Sequence, residues 1–406
     1  MTGQEMHDFM RELYPLCRSL TGRGTRETLR MIGDRIPLDV TSVPSGTDVL
    51  GWTVPNEWTP REAYIETPDG RRVADFSEHN LHLVGCSDPV DEWLSLDDLR
   101  PHLHSLPDKP KWIPYVTSYY KRSWGFCLTH NELESLPDGQ YHAYIDATLQ
   151  PGHLHYGECI IPGETDDTVL LSTYVCHPSM CNDNLSGPVV LTALAKWLST
   201  IRRHYTYRIV FVPETIGCLA WLNDNRPNVV AGLVVTCCGD AADHHYKRSR
   251  CGDAMIDRIV GKLLDNHQLI DWYPTGSDER QYCTPGLNWP VGCLMRSIPG
   301  KFPEYHTSGD NCDFVKAGHL QGTLDLCKDV VQSLESNMAY QTTHPVGEHH
   351  LGEFCPSTLK ERATIGWVLT LSDGKTTVLD IAERSGLSIA TVSETAKRLA
   401  QQGFLV

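Results

Sequence analysis

Four side chains that could form a catalytic metal site lie at three separate points of the chain. His177 and Asp183 fall in CHPSMCNDNLSG, directly after the apolar run TVLLSTYV. Glu214 ends the apolar run YRIVFVPE, and His306 lies in EYHTSGDN, after the apolar stretch at 291–295. Any one of them alone is more typical of a hydrogen-bonded structural residue. Together they supply two imidazoles, a carboxylate ligand and a spare carboxylate as general base, which is the composition of an open zinc site.

Apolar segments around these residues predict the sheet that would bring them together. DTVLLSTYV, YRIVFVPE and VVAGLVVTCC read as buried strands, and amphipathic helical patterns such as LSGPVVLTALAKWLSTI lie between them. This alternation predicts an α/β fold with a mixed, mostly parallel sheet sandwiched by helices. Ligand sites in such sheets gather at the carboxyl ends of the strands, which is where the four side chains fall.

The remaining parts of the chain show other residue patterns. Residues 1–40 show helical spacing of apolar side chains, and residues 41–160 consist of short alternating runs broken by Pro, Gly and Asn, which predicts a β-rich module. The last 50 residues or so read as three helices with a tight turn at SGLS, and GFLV would be the following strand of a winged helix.

Three motifs, taken in order, resemble those of bacterial zinc aminopeptidases. NDNLSG, followed by an apolar helix, is similar to their Asp-Asn-x-Ser-Gly segment, VPETIG to their Glu-Glu-x-Gly segment, and EYHTSGD to their Tyr-His-Thr segment. Glutaminyl cyclases share this architecture, and one branch with polysaccharide or natural-product biosynthesis functions has a similar insertion and winged helix. The resemblance implies a catalytic domain from residues 1–40 and 161–350, an inserted β-rich domain at 41–160 and a winged helix-turn-helix domain at 355–406.

The resemblance also implies a role for each residue of the site. Asp183 matches the metal-binding Asp, Glu214 the general base and His306 the last His ligand, while His177 lies close to the place of the first His ligand. The usual His-x-Asp pair is replaced by CHP around His177. The expected chemistry is hydrolysis of a peptide or amide by a metal-bound water, with Glu214 as the base.

Two departures from the family pattern concern the number of metal ions. Thr215 stands where the second Glu of the family segment would bind metal, and Thr236 lies near the place of an Asp that ends the third strand. Each change removes one anionic ligand, so a single zinc ion fits better than two. Asp240 would restore a ligand if its loop turned inward.

The stretch GSDERQY, residues 276–282, is predicted to line the substrate pocket. Asp278 or Glu279 would hold a substrate ammonium group and Arg280 a carboxylate, with Tyr282 beside them. The alternative is a solvated charged loop without a role in binding.

Composition restricts the partners and the compartment. A formal net charge of −16 argues against non-specific binding to nucleic acids and to anionic membranes. We find no secretory signal pattern and no apolar window of the ~18 to 20 residues that a membrane span needs, and the 15 cysteines have no disulfide-framework spacing, so we expect a cytoplasmic protein. From residue 357 to 406, six Lys or Arg minus five Asp or Glu leave a net charge of +1, which favours protein contact or homo-oligomerisation over DNA binding.

The predicted function is therefore a zinc-dependent, aminopeptidase-like hydrolase acting on a small peptide or aminoacyl amide. Peptides, aminoacylated sugars and natural-product amides all remain open as substrates. Two alternatives also remain: an acyltransferase or cyclase at the same metal site, and a non-catalytic metal-binding regulator that acts through its winged helix.

Overall fold

The computed structural model describes residues 1–347, 349–350 and 358–406. Residue 348, within the predicted catalytic range, and residues 355–357, at the start of the predicted winged-helix domain, lie outside the described residues.

The helices are α1 (Gly3–Leu13), α2 (Arg23–Gly33), α3 (Leu96–Leu99), α4 (His130–Glu134), α5 (Ser186–Leu198), α6 (Ile216–Asp224), α7 (Met255–Leu263), α8 (Glu279–Tyr282), α9 (Ala317–Glu335), α10 (Leu359–Leu371), α11 (Val378–Ser385) and α12 (Ile389–Gln401). The strands are β1 (Asp39–Pro44), β2 (Asp48–Val49), β3 (Trp52–Thr53), β4 (Glu57–Glu66), β5 (Arg72–Val73), β6 (Val90–Ser95), β7 (Leu103–His104), β8 (Phe126–Cys127), β9 (Gln140–Gln150), β10 (His153–Ile161), β11 (Thr168–Tyr174), β12 (Thr206–Val212), β13 (Val229–Val235), β14 (His245–Lys247), β15 (Leu269–Ile270), β16 (Val291–Met295), β17 (Ala339–Gln341) and β18 (Asp373–Thr377).

A mixed sheet forms the centre of the molecule, in the order β1-β10-β12-β11-β13-β16-β14-β15. The inner strands β12, β11, β13 and β16 are parallel, whereas β1 and β10 pair antiparallel with their neighbours. The strand β14 is antiparallel to β16 and parallel to β15. Every residue of β11 is buried, as expected for a parallel strand with both faces covered. The predicted α/β class with a mostly parallel sheet is confirmed.

Helices cover both faces of this sheet because each face carries its own apolar cluster. One cluster joins α1, α5, α7 and α9 to the sheet, and the other contains α6 with Trp221, Tyr282 and Trp289. The parallel strands β11, β12, β13 and β16 therefore end at the same edge. The segments that follow them, at residues 175–183, 213–215, 236–240 and 296–310, start from that edge.

A second, four-stranded sheet lies in the middle of the chain, in the order β5-β4-β9-β6. Its core is separate and includes Trp58, Ile65, Tyr141 and Ile145. The strands β1 and β10, at the two ends of the range predicted for the insertion, pair in the large sheet instead. The division of the chain into domains at residues 40 and 160 stays a prediction.

The C-terminal part is a winged helix-turn-helix, as predicted. Gly386, in the predicted SGLS turn, ends α11 in the left-handed region with φ of 71°, a conformation that glycine adopts without steric cost. The terminal GFLV segment runs beside β17: Val406 and Gln341 exchange two backbone hydrogen bonds, and Leu405 bridges Thr342. None of the helices in the described residues is both long and apolar enough to span a bilayer.

Candidate metal centre and catalytic site

The structure brings three of the predicted residues together at the carboxyl edge of the sheet. His177, Asp183 and His306 each offer a ligand atom, and these atoms lie within 4.8 Å of one another. His177 and Asp183 are buried, whereas His306 is partly exposed, so the group opens toward solvent on the His306 side.

The polar atoms of this group fit a metal ion. Oδ2 of Asp183 and Nε2 of His306 are 2.9 Å apart without the geometry of a hydrogen bond, and neither atom has another hydrogen-bond partner. Buried polar atoms without a partner are costly, and a divalent cation would satisfy both of them. Two imidazoles and one carboxylate are also a donor set that zinc prefers.

The loop that carries Asp183 is held by a carboxylate that the sequence analysis did not single out. Asp310 is fully buried and accepts backbone hydrogen bonds from Cys181, Asn182 and Asp183, at 3.1, 2.6 and 2.8 Å. Burial raises the pKa of Asp310 to about 8, even though the three N–H donors favour its charged form. The only signal for this role was its position four residues after His306, in the quoted EYHTSGD motif.

The glycine of NDNLSG lets the following helix approach the sheet. A Cβ atom at Gly187 would lie 2.2 Å from Oγ1 of Thr173 and 2.3 Å from the carbonyl oxygen of Val235. Only glycine fits at this contact, because both neighbours belong to the central strands β11 and β13. The start of α5, and with it the preceding Asp183 loop, is therefore fixed against the sheet.

Asp183 has a second support on its other oxygen. The Tyr174 hydroxyl donates to Oδ1 of Asp183, and Oγ1 of Thr236 donates to the Tyr174 hydroxyl over 2.8 Å. Burial alone would raise the pKa of Asp183, but His177, His306 and the Tyr174 hydroxyl outweigh it and lower the pKa to about 2. Thr236, which the resemblance to zinc aminopeptidases places near a metal-binding Asp, thus reaches Asp183 through one tyrosine.

His177 is held in the form that can bind a metal. Burial lowers its pKa to about 4, so the ring is neutral near pH 7. Nδ1 lies 3.3 Å from the Cys176 thiol, which leaves Nε2 facing Glu214, with 4.0 Å between Nε2 and the nearer carboxylate oxygen. The buried Cys176 therefore orients the ring by contacting its other nitrogen.

Glu214 lies at a strained turn just beyond β12. Thr215 has φ of 62° and ψ of −75°, and the amide of Ile216 donates to the carbonyl of Glu214 over 2.8 Å, which together form a γ-turn of the rare, strained type. Burial raises the pKa of Glu214 well above its usual range, and the nearby carboxylates of Asp278 and Asp183 add to the effect.

Two residues of the GSDERQY stretch hold this turn in place. Oδ1 of Asp278 accepts from the amide of Thr215, and Nη2 of Arg280 donates to Oγ1 of Thr215, both over 2.8 Å. Asp278 is fully buried, and burial raises its pKa to about 7. Both residues therefore contact the segment that carries Glu214.

The other two predicted substrate-contacting residues are directed away from the site. Glu279 is fully buried and forms an ion pair with the equally buried Lys247, at 2.7 Å between Oε1 and Nζ. Tyr282 is packed in the apolar cluster of α6, and its hydroxyl lies 2.9 Å from that of Ser172. Neither residue lines the cavity described next, because α8 turns both of them into the core.

A cavity of about 600 Å³ opens beside Glu214. Arg280 and Glu214 are its charged lining residues, and Trp52, Tyr119 and Tyr120 form an aromatic wall that comes from the middle part of the chain. These three aromatic side chains are partly exposed, which leaves their rings accessible to a ligand.

The middle part of the chain also contacts the candidate metal-binding group itself. The amide of Tyr115 donates to the carbonyl of His306 over 2.8 Å, and its ring centroid lies 5.3 Å from that of His177 and 5.1 Å from that of His306. Tyr305 stacks on His306 at 3.9 Å between centroids. The sequence analysis missed Tyr115, because no local pattern marks a contact between segments so far apart in the chain.

Asp240 is buried but does not join the candidate metal-binding group. Its two carboxylate oxygens accept from the side-chain amide of Asn182 over 2.6 Å and from the amide of Ala242 over 2.9 Å. Within the described residues, the group of possible ligands consists of His177, Asp183 and His306.

Comparison with known proteins assigns the chain to a family. A family described as a domain of unknown function (DUF4910) matches residues 7–337, and a winged helix-turn-helix family matches residues 339–406. The chain belongs to the DUF4910 family. A Clostridium acetobutylicum relative in this comparison is 44% identical over 98% of this chain and 95% of its own length; it is provisionally named as a polysaccharide biosynthesis protein with an aminopeptidase-like domain.

Solved structures extend the comparison to the fold. A Clostridium acetobutylicum crystal structure, of a protein provisionally named as a peptidase, is 44% identical with a TM-score of 0.96 and covers 100% of this chain and 96% of that one. A zinc aminopeptidase from Bacillus subtilis is 12% identical with a TM-score of 0.58, over 82% of this chain and 95% of that one. The chain therefore has the aminopeptidase-like fold, and the resemblance stated from the motifs is confirmed.

Proposed function

We propose that this protein is a zinc-dependent amide or peptide hydrolase. The observation that carries the proposal is the convergence of His177, Asp183 and His306 at the sheet edge, with Glu214 4.0 Å from His177. Two of the three ligand groups carry buried polar atoms without a hydrogen-bond partner, which supports a cation at that place. A zinc ion bound there would lower the pKa of a water molecule and polarise the scissile carbonyl.

Glu214 is proposed as the group that moves the proton. Its carboxylate accepts a proton from the attacking water and passes it to the nitrogen of the leaving amine. The strained turn at Thr215, clamped by Asp278 and Arg280, orients the Glu214 side chain toward His177. The raised pKa of Glu214 favours a residue that alternates between the charged and the protonated form.

We further propose one metal ion per chain. Thr215 forms hydrogen bonds with Asp278 and Arg280, and Thr236 forms one with Tyr174. Neither threonine therefore replaces the missing anionic ligand of a second metal position. The carboxylate of Asp240 accepts hydrogen bonds from Asn182 and Ala242, so Asp240 does not restore a missing metal ligand. Three protein ligands and one open position are typical of a single catalytic zinc.

The proposed substrate is a small peptide or aminoacyl amide with an apolar or ring-shaped part and an anionic group. The aromatic wall of Trp52, Tyr119 and Tyr120 can pack against the apolar or ring-shaped part, and Arg280 can bind the anionic group. The name of the Clostridium acetobutylicum relative supports a role in polysaccharide biosynthesis, which would take place in the cytoplasm.

The winged helix is proposed to act by protein contact or oligomerisation rather than by reading DNA. The face of α12 with Ala390, Ser393 and Lys397 lines a cleft of about 910 Å³ against α5 and α9 of the catalytic part. A helix whose face is turned toward its own chain does not present that face to a major groove. This arrangement favours the hydrolase over the regulator; the cyclase alternative shares the same groups and differs in the product.

Turnover by a Glu214→Gln variant tests the proposal. Glutamine keeps the size and hydrogen bonding of the side chain but cannot accept the proton, so metal content and folding should persist while turnover falls by roughly 10²- to 10⁴-fold. A panel of aminoacyl anilides, dipeptides and aminoacyl sugars, with and without a chelator, serves as the assay. Glu134→Gln, at an exposed position, is the matched control. Equal turnover by wild type and Glu214→Gln would reject Glu214 as the base.

A further inference from the structure

Arg18 is a fully buried arginine with an incomplete set of partners. It lies between α1 and α2, and Nη1 donates to the carbonyl of Leu13 over 2.5 Å. Nε and Nη2 have no hydrogen-bond partner, and no carboxylate forms an ion pair with the guanidinium among the described residues. Among the described residues, the carboxyl groups of the site, Glu214 and Asp310 included, form no ion pair with this cation.

An unpaired guanidinium in the interior is costly, because the charge is removed from water without compensation. Burial lowers the pKa of Arg18 to about 10, which still leaves the side chain charged near pH 7. Buried charges in proteins are normally neutralised by a counter-ion, so the interior around Arg18 requires an anion that the chain itself does not supply.

A small cavity next to Arg18 provides the space. Its volume is about 10 Å³, which corresponds to room for one water-sized particle, and its lining includes Asn80, Tyr115 and Pro178. Tyr119 lines both this cavity and the larger one beside Glu214, so the two spaces are neighbours.

We propose that Arg18 binds a single small inorganic anion, a halide ion, in this cavity. The anion completes the hydrogen bonding of Nε and Nη2 and neutralises a positive charge that acts on His177, whose neighbour Pro178 lines the cavity. Removing that repulsion should favour a cation at the His177 group. The inference rests on Arg18 and its cavity and holds whether or not the protein is a hydrolase.

Anion-dependent thermal unfolding of the full chain tests this site. In sodium methanesulfonate of constant ionic strength, whose anion is too large for the cavity, added chloride or bromide should raise the unfolding midpoint of wild type in a saturable way, by a few degrees once the site is filled. Arg18→Met should abolish the shift, and Arg71→Met, at an exposed position, should retain it.

A crystal of wild type grown in bromide gives an independent measurement if Arg18→Met does not fold. The proposal requires an anomalous bromide peak within about 3.5 Å of Nε or Nη2, the range of a hydrogen bond to a large anion. A wild-type midpoint that does not change with either halide, an equal response in Arg18→Met, or bromide crystals without this peak would each overturn it.

Discussion

At the scale of single residues, a hydrogen-bonded chain stands near the place of one of the two acids that the zinc aminopeptidase pattern would supply. Thr236 donates to the Tyr174 hydroxyl, and that hydroxyl donates to Asp183, so two neutral side chains support the proposed carboxylate ligand. A partner of this kind fixes the orientation of a ligand and tunes its affinity for metal without touching the ion.

This path makes Tyr174 a sensitive position. Tyr174→Phe removes the hydroxyl from Asp183 and keeps the ring, so we expect zinc affinity to fall by roughly 10- to 100-fold, the usual effect of losing such a partner. Competition with a chromophoric chelator measures the affinity. Tyr144→Phe, on a strand of the four-stranded sheet, is the control and should bind zinc like wild type. An unchanged affinity in Tyr174→Phe would show that the hydroxyl does not support the ligand.

At the scale of elements, α8 positions the residues that clamp the turn of Glu214. Lys247 at the end of β14 donates to Oε1 of Glu279 and to the carbonyl of Thr275. Both charged side chains are fully buried, and their ion pair fixes the start of α8 against the strand β14 of the large sheet. Asp278 and Arg280 flank Glu279 and are thereby held beside Thr215.

Breaking this buried pair should be strongly destabilising. Glu279→Gln leaves the Lys247 ammonium buried without a charge partner, so we expect a loss of about 3 to 5 kcal/mol in the free energy of unfolding, measured with urea. The double variant Lys247→Met with Glu279→Leu removes both charges and should recover most of that loss. Glu27→Gln, which breaks an exposed ion pair with Arg30, is the control and should change little. A Glu279→Gln variant as stable as wild type would contradict the account.

The strand ends and the three candidate metal ligands could be predicted because their signals are local. Continuous apolar runs mark β11, β12 and β13. The carboxyl ends of parallel strands lie at one edge of the sheet, and this does not depend on the conformation of the loops. The direction of the side chains around α8 could not be predicted, because DERQY reads as a solvated loop unless the buried Lys247 is known. Asp310 and Tyr115 were missed for a similar reason, since their contacts join segments that are distant in the chain.

At the scale of the whole molecule, the winged helix is continuous with the part of the chain that contains the large sheet. Its apolar side chains, such as Leu379, Val392 and Leu399, belong to the same core cluster as α1, α5 and α9. Arg258 on α7 also pairs with Asp380 and Glu383 on α11, both at 2.6 Å. The four-stranded sheet, by contrast, has a core of its own.

Because α12 and α9 share one apolar core, we expect them to unfold together. Hydrogen exchange at increasing urea concentration should show the amides of α12 losing protection together with those of α9, because elements in one cooperative unit open together. The strands β4 and β9 serve as the internal comparison, since their separate core allows them to open independently. Loss of protection in α12 at clearly lower urea than in α9 would show that the winged helix is an independent unit.

The central claim is a single catalytic zinc held by His177, Asp183 and His306. The most direct test is a crystal of the protein prepared with zinc, with anomalous data collected on both sides of the zinc absorption edge. We predict one zinc peak per chain, at about 2.0 to 2.2 Å from one nitrogen of each histidine and one oxygen of Asp183, with Glu214 outside the ligand set. Two zinc peaks at this edge of the sheet, or one peak whose ligands exclude any of the three residues, would contradict the account.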